Sequence, residues 1–487
     1  MMSRSLRIPM LAVAVFTLLP PLLSVTVAQA QQVQIEIGNT PDVSDDFLCW
    51  APVASRVRLG APAANDLEVT LVSTPANTGA GAVQFLAGTG AVTPANFFPT
   101  DQLSLTVPKD GSWVPFYVAG KVASVGKKDI KLQVLQKNTT TVLGENLVMV
   151  RVRKNANTLA DVERDQFLDA VRRLHDKPGL VEQSRWQDYY RAHAEAFNTG
   201  IHAGPSRRVS NFLPWHRAFL LSLERELQSF NPNVTIPYWK FDAPAGKIFT
   251  LEFMGTVERE GTSAVPASSA EVRFAPTNRL SGWGFEDTAL VRGADWKNGQ
   301  PVSPNQLGFI LCEVAGAGCP VGADQLRNVT MSLDESYHNR AHSLTGGWLG
   351  QGFSPADPIF FLLHANTDRA WAHWQLKYGR FINSGVHEPS YFPTNQYPGP
   401  ATPGRFREGL YALDQMWPWN GKSGNAGTPD VMDDWPDLEF PFPVAPGRPF
   451  GPNDRPTPAR LIDYQGTTGL NAAIGACYDD LGFKGRL

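Results

Sequence analysis

Nine histidines are the residues of this chain whose type and spacing could do chemistry, and all of them fall between His175 and His387. His193, His202 and His216 precede a long loop at 249–308, and His338, His342 and His364 follow it. Two sets of three imidazoles suit a two-metal site. In His338-Asn339-Arg340-Ala341-His342 the i, i+4 spacing stacks both rings on one face of a helix, where they can share an ion. His216 opens a helical run after Pro214-Trp215, and His364 ends an apolar run that starts at Ile359, where a lone imidazole is poorly solvated and needs a partner. Any one of these residues taken singly reads as an ordinary core or surface histidine; the clustering is what points to a metal. An all-imidazole set suits copper, zinc, iron or nickel, and the chain has no His-Glu-x-x-His arrangement of a zinc protease. Three ligands per ion would leave positions open for a small molecule.

The elements that must position these side chains change character along the chain. Between 31 and 155 short alternating runs such as Val33-Gln34-Ile35-Glu36-Ile37 and Ile130-Lys131-Leu132-Gln133-Val134-Leu135 are broken by Gly, Pro, Asn and Asp, which predicts an antiparallel all-β sandwich. That segment has no histidine, so it reads as a structural or regulatory module. At Thr158 the period becomes helical, with Leu159, Val162, Phe167, Val171 and Leu174 on one face, Thr158 as the expected cap and Asp161 in the first turn. Further helices are predicted at 183–196, 217–228, 332–342 and 357–378, making 156–390 a mainly α domain. From 391 to 487 the chain is rich in Pro and Gly, which predicts a loop-rich segment wrapping the surface.

The first thirty residues read as a secretory signal peptide: Arg4 and Arg7 precede an apolar run that ends in Ala28-Gln29-Ala30, so the protein is expected to be exported, periplasmic or secreted, after cleavage near Ala30. Pro9, Pro20 and Pro21 interrupt the run and argue against a membrane anchor. All four cysteines, Cys49, Cys312, Cys319 and Cys477, lie in the exported part and allow two disulfides by three pairings, of which Cys312 with Cys319 is favoured because both share one Gly-rich loop. With 43 basic against 46 acidic residues there is no field to attract nucleic acid or an anionic membrane.

Four blocks carry a resemblance. Phe212-Leu213-Pro214-Trp215-His216-Arg217, then His338-Asn339-Arg340-Ala341-His342 followed by Gly346-Gly347, then Ser354-Pro355-Ala356-Asp357-Pro358-Ile359-Phe360, and His364-Ala365-Asn366-Thr367-Asp368-Arg369-Ala370-Trp371 resemble, in order and spacing, the two copper signatures of the tyrosinase and polyphenol oxidase family. The resemblance runs from about 158 to 374 and leaves out the predicted sandwich. It implies a helical-bundle dicopper centre in which His193, His202 and His216 hold the first ion and His338, His342 and His364 the second, with His175 as a weaker rival of His193. It differs from the family in Pro237-Tyr238-Trp239-Lys240-Phe241, where Asp-Trp usually ends the stretch, and in Leu363-His364, where a pair of histidines is usual. No cysteine stands near His202, so the thioether crosslink of fungal and plant relatives is not expected.

The activity implied is that of a copper monooxygenase and oxidase, because two Cu(I) ions about 3.5 to 4 Å apart can activate O2 beside an aromatic ring. Monophenols would be hydroxylated at the ortho carbon and o-diphenols oxidised to o-quinones. A catechol oxidase restricted to o-diphenols or o-aminophenols, and a haemocyanin-like O2-binding protein, are the alternatives. The resemblance implies that Asn339, directly after His338, works with Glu335 through a water to take the proton of a bound phenol; Asn339 favours the tyrosinase reading. Asp368, one turn after His364, has two open roles, orienting a ligand imidazole or pairing with Arg369. The expected partners are a small phenol and O2, with a copper chaperone as a further candidate. The N-terminal module, or the tail around Trp417 and Trp419, is either a plug over the pocket or a stabilising part. Gly352 and Phe353 fall in the stretch that borders the pocket.

Overall fold

The computed structural model describes residues 32–38, 46–77, 79–179, 182–199, 212–316 and 318–381, and the short stretches 416, 418–419, 456, 458–462, 464–465 and 476–487. The first part is β-rich. Strands β1 (Val33–Ile37), β2 (Phe47–Leu48), β3 (Val53–Leu59), β4 (Leu67–Pro75), β5 (Ala82–Ala87), β6 (Gln102–Val107), β7 (Val114–Val122), β8 (Ile130–Gln136) and β9 (Val142–Val150) form two sheets. Their orders are β1-β3-β7-β5 and β2-β9-β8-β4-β6. Alternation drives this: in β8 the residues Ile130, Leu132 and Val134 are buried while their neighbours are half-exposed. The inward residues of both sheets, among them Val57, Phe85 and Val118 from one and Val69, Leu71 and Val148 from the other, make one apolar core. All but one of the pairings in the two sheets are antiparallel; β2 runs parallel to β9, with Phe47 opposite Met149.

Helices follow: α1 (Asp161–Asp176), α2 (Arg185–Thr199), α3 (Phe212–Phe230), a short α4 (Gln306–Ile310), α5 (Leu326–Met331), a π-helical turn (Ser332–His338), α6 (Asn339–Thr345) and α7 (Ile359–Tyr378). The cap of α1 differs from expectation. Ala160 is the N-cap, its N–H donating to Glu163 at 3.2 Å, whereas the Thr158 hydroxyl donates back to Asn155 O at 3.0 Å. A three-residue 3-10 turn at Ala156–Thr158 occupies the position where the helix was expected to begin. The central pair, α3 and α7, is buried along nearly its whole length, so its polar residues must be paired. Gly379, at φ 63°, closes α7 and donates to Gln375 O, a left-handed position that favours glycine.

Buried charges join these parts. Arg153, just after β9, grips Glu224 of α3 with two hydrogen bonds of 3.0 Å and also donates to Asp368 of α7 at 3.2 Å. Tyr478 donates its hydroxyl to Asp368 at 2.5 Å. The described parts of the C-terminal segment therefore do more than wrap the surface: Met416, Trp419, Leu461, Tyr464, Cys477 and Tyr478 are all buried. Cys477 lies in the β core and the adjacent Tyr478 in the helical core. Two disulfides are formed, Cys312–Cys319 as favoured from the shared loop, and Cys49–Cys477, which ties the β-rich part to the end of the chain.

Candidate metal centre

Five elements deliver histidines to one point. His193 comes from α2, His216 from α3, His338 from the end of the π-helical turn, His342 from α6 and His364 from the middle of α7. Among the described residues, two groups could hold a metal, His193 with His216 and His364, and His338 with His342 and His364. His364 Nε2 stands 3.1 Å from His338 Nε2 and 3.2 Å from His342 Nε2. The His216 and His364 rings stack with centroids 4.1 Å apart. His202 lies outside the described residues, as do His387, Trp417 and the segment read as a signal peptide.

The backbone orients three of these rings. Nδ1 of His193 is 2.8 Å from Gly352 O, that of His216 is 2.8 Å from Phe212 O, and that of His342 is 2.6 Å from Leu349 O. Carbonyl oxygens only accept, so each Nδ1 carries the proton and each Nε2 keeps a lone pair for a ligand bond. His364 is 1% exposed, and its Nδ1 has no hydrogen-bond partner among the described residues. Burial first, and then the neighbouring His216, His338, His342 and His193, hold its pKa well below the ordinary histidine value. Such a ring is neutral. Several neutral imidazole nitrogens that face one another at about 3 Å with few protons between them repel, and cations relieve that repulsion. Two copper ions therefore fit the donor set, with His193 and His216 on one side and His338, His342 and His364 on the other.

The surroundings are aromatic. Phe360 stands 4.1 Å from His364 and 4.8 Å from His193 by ring centroids, and Phe212 lies 4.7 Å from His216 and 5.0 Å from His338. On the outer side Asn339 and Glu335 are exposed, and His342 is partly so. A carboxylate that approaches a ring of the cluster is instead that of Asp334, whose Oδ1 is 3.4 Å from His338 Nδ1. Sequence reasoning missed it, although its place four residues before a candidate ligand histidine was a usable signal.

The remaining candidates resolve as follows. His175 sits with its centroid 4.5 Å from Trp283 and takes no part in the cluster, so His193 is the residue that α2 contributes. His373 is buried beside Glu313 at 3.0 Å. Neither role expected of Asp368 holds. It accepts from Arg217 Nε at 2.5 Å and from Arg153 and Tyr478, while Arg369 pairs with Asp480. Trp419 packs on Trp215 with centroids 5.8 Å apart and donates to the Ser222 hydroxyl at 3.2 Å, as part of the core behind α3.

A family model described as the common central domain of tyrosinase matches residues 183–377. A tyrosinase of Streptomyces antibioticus is 30% identical over 281 residues, which cover 55% of this chain and 93% of that protein. The chain belongs to the tyrosinase family. The matched domain spans the elements from α2 to α7 and begins after the β-rich part. Other family relatives carry different names: grixazone synthase of Streptomyces griseus is 28% identical over 50% of this chain and 89% of its own length. Unit D of the hemocyanin beta-C chain of Helix pomatia is 28% identical over 47% of this chain and 52% of its own length. Type 3 copper centres define this family, and the histidine cluster is compatible with one.

Proposed function

We propose that this protein is an exported copper-dependent phenol oxidase that ortho-hydroxylates monophenols and oxidises o-diphenols to o-quinones. The observation that carries the reading is the convergence of five described histidines from both copper signatures, with Nε2 atoms 3.1 and 3.2 Å apart around His364. Copper held there would supply O2 activation and the two-electron oxidation, in which two diphenols and one O2 give two quinones and two waters. His193, His202 and His216 are assigned to the first ion and His338, His342 and His364 to the second. Phe212 and Phe360 exclude water from the rings. Glu335, working with Asn339 through a water, takes up the proton of the incoming phenol, whose pKa near 10 otherwise leaves it a poor ligand at neutral pH; both residues are exposed.

Export is supported by the two disulfides, which persist in oxidising compartments. No helix among the described residues is long and apolar enough to cross a membrane. The test is O2 uptake by the copper-loaded chain 31–487, offered first a monophenol and then an o-diphenol. Uptake with both is expected. Uptake with the diphenol alone would make it a catechol oxidase, and reversible O2 binding without turnover would make it a carrier like the hemocyanin it resembles.

A further inference from the structure

The groups behind the clustered rings differ in charge. His193, His216 and His342 each face a neutral backbone carbonyl through Nδ1. His338 has a carboxylate near it instead: Asp334 Oδ1 lies 3.4 Å from its Nδ1, a charge contact without a hydrogen bond, and the two side chains are only 16% and 8% exposed. The π-helical turn holds this pair, since the Asn339 N–H donates to Asp334 O and so locks the first and last residues of the contact on one wall. A carboxylate behind a ligand imidazole makes that ligand more basic and stabilises the more highly charged metal ion.

We infer that Asp334 is a positioning residue that holds His338 by its charge and makes it a stronger donor to the second copper position than a carbonyl-backed ring would be. The inference rests on the dicopper reading above. The ion held by His338, His342 and His364 is then bound more tightly, and favours Cu(II) more, than it would without that charge. Glu335, the next residue, is exposed and has no such contact with a ligand ring among the described residues.

The test compares the full mature chain with Asp334→Asn, which keeps shape and a hydrogen-bonding oxygen but removes the charge, and with Asp334→Ala. Copper per chain is measured first on the unaltered protein, followed by competition with a Cu(I) and a Cu(II) chelator and by a redox titration. Two coppers in the parent, with one of them held 10- to 100-fold more weakly in Asp334→Asn, is the expected result. A tenfold loss of Cu(II) preference reads as a rise of about 59 mV in that ion's potential. The metal-free melting temperature should match the parent. Unchanged affinity and potential in both variants overturns the inference while leaving the copper reading intact. Equal loss of both coppers with a lower metal-free melting temperature also overturns it, in favour of a merely structural role. If the parent itself binds no copper pair, the functional reading falls and the inference with it.

Discussion

Arg217 donates through Nε to Asp368 Oδ1 at 2.5 Å, and these two buried residues sit one position after His216 and one turn after His364. The pair staples α3 to α7 directly behind the two stacked ligand rings. Arg153 and Tyr478 add their own hydrogen bonds to the same carboxylate, so the β-rich part and the end of the chain are wired to the helices that carry the metal site.

Breaking the staple should be costly. Asp368→Asn removes the charge facing two buried guanidinium groups and should destabilise the protein by about 3 to 5 kcal/mol, read from urea unfolding of the metal-free chain. Tyr478→Phe, which removes one buried hydroxyl, should cost about 1 to 3 kcal/mol. Full stability in Asp368→Asn would show that the network is dispensable.

A chain that starts near residue 158 lacks Arg153 and Cys49, leaving Glu224 without its principal cation and Cys477 without its disulfide partner. We expect it to be insoluble or to melt well below the parent, so comparing its turnover with that of the full chain would not isolate a plug. The cleaner probe is Cys49→Ser with Cys477→Ser, which should cost about 2 to 4 kcal/mol and leave O2 uptake per folded molecule unchanged. A rise in turnover in that double variant would point to a masking role for the β-rich part.

His364 belongs to both histidine groups. His364→Ala should therefore lower bound copper more than any other single histidine change, to one ion per chain or fewer by elemental analysis. His175→Ala, remote from the cluster, should keep the full complement. Copper should also raise the melting temperature of the parent, because an ion that binds only the folded chain stabilises it by about 2.7 kcal/mol at a hundredfold excess over Kd.

Acid should loosen the joint between the parts. Burial alone would raise the Glu224 carboxyl, but the charge and hydrogen bonds of Arg153, with Arg225 and the Ile236 N–H, outweigh it and hold the pKa below its ordinary 4.5. An acid depressed in the fold contributes stability that is complete above its unfolded pKa and is lost as pH falls through the folded value. Unfolding free energy should thus decline below about pH 4.5, and Asp480, lowered by Arg369 against burial, acts in the same sense. Asp479 is raised, chiefly by burial, and acts oppositely. Glu224→Gln should flatten the acid limb in a melting series from pH 6 to pH 3; an unaltered slope would show that other groups set it.

The local features of this protein were legible in its sequence. Alternation in β8, the helical period of α1, the i, i+4 spacing of His338 and His342, and the short Cys312–Cys319 loop all depend on neighbours within a few residues, which local geometry fixes. The resemblance of the two copper signatures carried His216 and His364 as well. The misreadings arose where competing local or distant partners won. At the start of α1, Glu163 reached back to Ala160 and displaced Thr158 as the cap. Asp368 found Arg217 at a separation of 151 residues rather than its neighbour Arg369.

What the tertiary structure alone decided is which distant groups meet. Arg153 meets Tyr478 across 325 residues, and Arg217 meets Asp368 across 151. No periodicity encodes such pairs, because they depend on the whole path of the chain and on the need of each buried charge for a partner. The sequence determined that histidines of both signatures would be available to a metal pair; the packing of α2, α3, α6 and α7 decided that their Nε2 atoms converge, and the π-helical turn decided that the His338 ring has the Asp334 carboxylate behind it.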